Sequence, residues 1–194
     1  YDGNSSGAWG TGKAIIDGSE TFSATWTQAT SADDVRGNSN YANIWYCTPP
    51  AAMTHPLQTL FVNGVPCYTA QHLNPPESRY YMDDPDAGIV SAIGDMTLTS
   101  QRSTATFTQS DSAYWDDAWL GQWRTNNSWA WVPITGFDTA TDTVSYASTG
   151  AAPYSDRDSY FTIISHPAHI DTELEYAYCP SEGRLYFWSP GGVD

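Results

Sequence analysis

The sequence predicts an all-β fold, a β-sandwich or distorted barrel of mostly antiparallel strands, and three observations carry that prediction. Runs rich in Val, Ile, Thr, Tyr, Phe and Trp recur along all 194 residues, a composition that fits a pleated, half-buried surface. Gly, Pro, Asn or Asp cuts these runs roughly every eight to twelve residues, the spacing of a sandwich or barrel. The turn dipeptides Asp17-Gly18 and Asn63-Gly64 stand between apolar runs, where they favour two-residue hairpins. This length suits one generous domain, so 1–194 reads as a single module of roughly ten to fourteen strands.

Each element follows from its local pattern. Residues 13–16 form a short apolar strand stopped by Asp17-Gly18, and in 21–26 Phe22, Ala24 and Trp26 alternate onto one face. Residues 31–40 are polar and turn-rich, 41–47 return to strand character, and Pro49-Pro50 breaks it. Residues 57–62 and 65–70 flank Asn63-Gly64 as a hairpin. The stretch 74–88 holds three prolines and Asp83-Asp84-Pro85-Asp86; it suits neither a strand ladder nor a helix and reads as a long surface loop. Short structured pieces follow at 89–93 and 96–100, then a strand at 103–108 with Thr and Phe content. Within 113–123 helical spacing aligns Trp115, Trp119 and Trp123, yet a loop feeding a strand around Trp123 is the more economical reading. A polar turn at 138–142 joins strands at 129–137 and 143–147. The last third gives strands at 160–165, 175–179 and 184–188, with a turn at 180–183 between the final two.

Composition excludes several functions. Acidic residues number 22 against seven basic ones, for a formal charge of −15, a field that repels nucleic acid and anionic membrane surfaces. No apolar run approaches the roughly 20 residues of a membrane span, so no membrane insertion is expected. With 40% hydrophobic and 14% aromatic residues, the chain is too apolar for a disordered acidic tail. Cys47, Cys67 and Cys179 form an odd set, allowing one disulfide at most; Cys47 and Cys67 fit either a bridge between neighbouring strands or two buried thiols.

Chemistry-bearing groups are sparse. The acid pairs Asp116/Asp117, Asp83/Asp86 and Asp171/Glu173 read as solvated surface charge rather than a catalytic dyad, because 22 acids make accidental pairs inevitable. His166 and His169 offer two metal ligands without a third partner at convincing spacing. The oxygens of 83–86 suit calcium, but they lack the spaced Asp-x-Asp-x-Asp-Gly order, so a plain acidic loop is the favoured reading. No Gly-x-Ser-x-Gly elbow supports a serine nucleophile. Aromatics are more informative, with nine Trp and 13 Tyr. Sugar rings present apolar C–H faces to flat indoles while their hydroxyls meet nearby polar groups. Trp26, Trp45, Trp123 and Trp188 sit in strand patterns and read as core. Trp115, Trp119, Tyr80 and Tyr81 lie in acid-flanked, loop-like stretches and are the candidate carbohydrate platforms, with packing beneath the loops as the competing reading.

The order of several motifs resembles a known family. The run 12–18 (GKAIIDG) leading to Trp26, then Ile44-Trp45, 60–64 (LFVNG) and 70–74 (AQHLN), is similar to secreted right-handed parallel β-helix proteins of the pectate-lyase-like superfamily, which carry an inserted β-sandwich module. Trp123, 132–138 and 143–146 resemble that module's later strands, and 160–161, 175–178, 183–186 and 188–190 its closing stretch. Glu173-Leu174 departs from the family's Pro-Gly pair, and the acidic loop after Asn74 is this chain's own. The resemblance implies that catalytic carboxylates lie on helical rungs outside this chain, with 1–20 and 180–194 as junctions to them. It implies a non-catalytic, extracellular or cell-surface accessory module whose partners are a polysaccharide or the parent β-helix. A structural or assembly domain of a surface layer or filament is the alternative.

Overall fold

Two principal sheets organise the protein in a computed structural model that describes residues 22–49, 53, 59–72, 90–92, 96–125, 128–148, 150, 159–189 and 192. One has five strands: β1 (Thr27–Gln28), β2 (Ile44–Cys47), β13 (Arg184–Trp188), β12 (Glu175–Cys179) and β5 (Tyr68–Thr69), in the order β1-β2-β13-β12-β5. The other has six, in the order β6-β11-β8-β9-β10-β7: β6 (Val90–Ala92), β11 (Ser159–Ile164), β8 (Trp119–Thr125), β9 (Ser128–Asp138), β10 (Thr143–Tyr146) and β7 (Ser100–Arg102). A small hairpin pairs β3 (Phe61–Val62) with β4 (Val65–Pro66). The fold is all-β, antiparallel apart from the β5–β12 pair, and no α-helix occurs among the described residues.

Apolar runs explain the five-stranded sheet. β2, β12 and β13 are nearly continuous hydrophobic stretches, the signature of strands covered on both faces. One face packs Ile44, Ala177, Cys179 and Tyr186 with Val35 and Ile170. The opposite face packs Cys47, Tyr176, Leu185 and Phe187 with Cys67. Phe22, Ala24 and Trp26 pack against this second face as their alternation predicts, although only Thr27–Gln28 makes ladder bonds. Asn63 and Gly64 both adopt left-handed φ, 52° and 78°, the geometry of a type I′ turn that Asn-Gly favours. All three cysteines are free and buried, which settles Cys47 and Cys67 as thiols; burial pushes each of these two up to about 11.

The strand expected at 103–108 is instead a turn. Ser103 Oγ accepts the Thr106 backbone N–H at 3.2 Å, and Ser103 O accepts Phe107 N–H at 2.9 Å. Short hydroxyl side chains compete with the ladder for backbone groups, and the turn drops Phe107 into the six-stranded sheet's core. Residues 113–123 form the loop and strand expected of them, with turns up to Asp117 and β8 beginning at Trp119.

Among the described residues, the links between the sheets include Ser165 Oγ with Tyr178 N–H and O on β12 and two larger connections. Tyr68 N–H and Ala70 N–H bond to Leu174 O and Tyr176 O beside β12; the next residues leave that sheet, Gln71 bridging to Ile164 and His72 N–H donating to Ile163 O on β11. Arg36, in left-handed conformation at φ 54°, donates to the carbonyls of Tyr114 and Asp116 at 2.8 Å and pairs with Glu182 at 2.7 Å. It ties the turn before β8 to the β12–β13 turn. The candidate junctions 1–20 lie outside the described residues, as does the acidic loop 83–86.

Candidate functional site

Strand alternation gives the two central strands of the six-stranded sheet different faces. Leu120, Val132 and Ile134 point into the core with Phe107, Val144, Phe161 and Ile163. Trp119, Gly121, Trp129, Trp131 and Pro133 therefore occupy the opposite face. Register sets Trp119 beside Pro133, Gly121 beside Trp131 and Trp123 beside Trp129.

Gly121 is what lets the indoles lie down. A Cβ there would stand 2.4 Å from Trp131 Cζ3 and 2.5 Å from Trp129 Cζ2, inside any tolerable contact. The two rings meet edge to face, with centroids 5.4 Å apart and planes at 71°, an arrangement the ring quadrupole favours. Both are half-buried, and Trp129 Nε1 is a buried donor without a partner. Half-covered indoles can offer their exposed ring surface for C–H stacking by a hydroxylated ring.

The sequence-derived platform residues separate. Trp115 is 1% exposed and packs against Phe107 edge-on at 5.5 Å; it is a core side chain, which corrects its reading as a surface platform. The acid-flanked turn that suggested exposure folds back, with Ala118 N–H bonded to Trp115 O at 3.2 Å and Asp117 at φ 68°. Trp119 opens β8, half-buried, on the same face as Trp129 and Trp131. Tyr80 and Tyr81 lie outside the described residues. Sequence reasoning missed Trp129 and Trp131, since a tryptophan inside a strand pattern reads as core. The readable signal was their two-residue spacing opposite a strand that carries glycine at its centre.

A second cluster sits where the sheets meet. His166 is fully buried beside Tyr114 and Trp115, with ring centroids 4.8 Å and 5.2 Å away. Its Nε2 donates to Tyr114 O at 2.6 Å, leaving Nδ1 as a buried acceptor without a partner. His169 lies 5.3 Å from His166 and 4.7 Å from His72, centroid to centroid, so the fold supplies the third imidazole that spacing did not reveal. Burial drives His166 down to about 3, with the Arg36 and His72 charges adding to the effect against the Tyr114 hydrogen bond. Burial likewise holds His169 well below its ordinary value, and lowers His72. Among the described residues no group of three or more His, Cys, Asp or Glu side chains is placed to hold a metal ion; the histidines act as packed, neutral rings. Asp117, from one of the acid pairs, is engaged structurally, accepting from Ser181 N–H and Oγ.

No family model matches the chain, and no curated protein matches it. A solved structure described as "Glycoside hydrolase" aligns with a TM-score of 0.46 and 13% sequence identity, over 78% of this chain and 27% of that one. The chain thus spans little more than a quarter of that protein's length, and a likeness of this degree identifies neither family nor activity.

Proposed function

We propose that this chain is a non-catalytic accessory module that contacts carbohydrate, and that it serves an extracellular or cell-surface polysaccharide-degrading protein built around a β-helix. The observation that carries this reading is the pair of half-buried indoles, Trp129 and Trp131, laid over Gly121 on the face of β8–β9 away from the core. Flat aromatic surface suits the apolar face of a sugar ring, and the formal charge of −15 favours a neutral glycan over an anionic one. Affinity electrophoresis through gels containing neutral polysaccharides tests it. Retardation of the native chain, abolished in Trp131→Ala and weakened in Trp129→Ala, is the expected result. Equal mobility of all three in every gel removes the proposal.

A packing role has its own support. Phe61 and Val65 on the β3–β4 hairpin are each 48% exposed, one on each face, since Phe61 pairs with Pro66 and Val65 with Val62; apolar side chains left in water suit an interface with the parent rod or a neighbouring subunit. Light scattering discriminates: concentration-dependent assembly that Phe61→Ser abolishes favours this role, and a monodisperse monomer disfavours it.

A further inference from the structure

Arg124 is 3% exposed in a chain with a threefold excess of acids. Arg36 and Arg184 use that excess, both reaching Glu182. Among the described residues no carboxylate pairs with Arg124. Its Nη2 donates to Thr97 O at 2.9 Å and Leu98 O at 3.3 Å, with Tyr146 Oη at 3.5 Å, and the guanidinium lies 5.5 Å from the centre of the Tyr146 ring. Nε and Nη1 are buried without partners. Two residues earlier on β8, Gln122 is fully buried with its side chain beside the Tyr146 hydroxyl, where it opposes the rise that burial imposes on that phenol, and neither of its amide atoms reaches full hydrogen-bonding geometry.

A cation removed from water needs a counter-charge or a full set of acceptors. The carbonyls and the phenol serve one nitrogen of three. A strand interior seldom holds an unspent guanidinium and an unspent amide side by side. The guanidinium requires acceptors that bring negative charge, and Gln122 Nε2 can donate to the same acceptor. We infer that the corner between β8, β10 and residues 97–100 binds a small carboxylate or inorganic oxyanion, which accepts from the free N–H groups of Arg124 and from Gln122 Nε2. The 97–100 turn separates this corner from solvent, with Leu98 42% exposed; among the described residues, Arg124 and Tyr146 are the sheet side chains that reach the turn's carbonyls. Carboxylates and planar oxyanions match guanidinium geometry, which chloride does not.

Thermal unfolding of the full chain in sodium acetate, galacturonate, nitrate, phosphate or chloride, at matched ionic strength and pH 7, tests the site and separates its sources. The expected result is a saturable rise for acetate, nitrate or both, of about 3–6 °C at tenfold over the dissociation constant. A rise with galacturonate as well as acetate identifies a sugar acid as the source, a rise with nitrate but not acetate an inorganic oxyanion, and a rise with phosphate alone overturns the inference. General salting effects act on any variant alike, so the rise must shrink in Gln122→Leu and vanish in Arg124→Met. Should Arg124→Met fail to fold, the acetate methyl resonance replaces it: saturable broadening by the native chain but not by Gln122→Leu supports the site, and equal broadening by both counts against it. Identical midpoints in all five salts, or an equal rise in Gln122→Leu, overturns the inference.

Discussion

The two sheets are finished differently. The five-stranded sheet is covered on both faces, and its buried carboxylate is satisfied: Glu175 accepts the backbone N–H groups of Asp171 and Thr172 at 2.8 and 3.1 Å. The six-stranded sheet has one apolar core face and carries most of the unspent polar atoms, those of Gln101, Gln122, Arg124 and Trp129. Unsatisfied buried groups cost stability wherever they occur, so their concentration on one sheet marks where the molecule gives up stability for contact. The five-stranded sheet is scaffold, and the six-stranded sheet holds both candidate sites.

The comparison can be broken most directly on β13. Leu185 is fully buried, and Leu185→Ala is expected to cost about 2–5 kcal/mol by urea unfolding. Trp131→Ala, on the half-buried face, is expected to cost well under that; an equal loss makes the indole face a second core and ends the contrast. Acid should act next, through the histidines between the sheets. Their folded values lie below the ordinary 6.5, so the unfolded chain binds protons first. Their contribution is complete above about pH 6.5 and is lost as pH falls toward 3. At pH 5 His166 alone should remove about 2 kcal/mol, a window in which carboxylates have barely begun to titrate. A urea midpoint that stays flat from pH 7 to 5 contradicts its burial as a neutral ring.

Gly121→Ala sharpens the contrast further, because its Cβ must displace two indoles. A loss of about 1–3 kcal/mol is expected, in the lower half of that range because the rings are half-exposed and can swing aside. Glycan retardation should fall together with stability; unchanged retardation separates Trp129 and Trp131 from binding. The smallest effect belongs to the scaffold thiols. Cys47 and Cys67 are buried and pushed up to about 11, so a thiol reagent should leave the native chain unlabelled and react only after denaturation. Labelling at the native state would place that face in water.

What the sequence made legible was local. β12 and β13 have the bounds their flanking Gly and Pro imply, and Asn63-Gly64 turns as expected. Ser103 and Trp115 misled for different reasons: a hydroxyl can take the backbone out of the ladder, and an acid-flanked turn can still bury its central ring. The candidate site was not local. That Trp129 and Trp131 share a face over Gly121 depends on which strands pair, and that His72 joins His166 and His169 depends on where a distant segment crosses. Arg124 gave no signal in sequence, since an arginine among 22 acids looks certain to find a partner.

The segment that leaves β5 for the edge of β11 also governs how the chain must assemble. Thr69 meets Tyr176 across 107 positions, and His72 meets Thr162 across 90. Ring closures of that size come late and slowly. Because one short stretch makes backbone bonds to both sheets, its docking couples them. The molecule should therefore melt as one cooperative unit, its two sheets losing structure together in a single thermal transition.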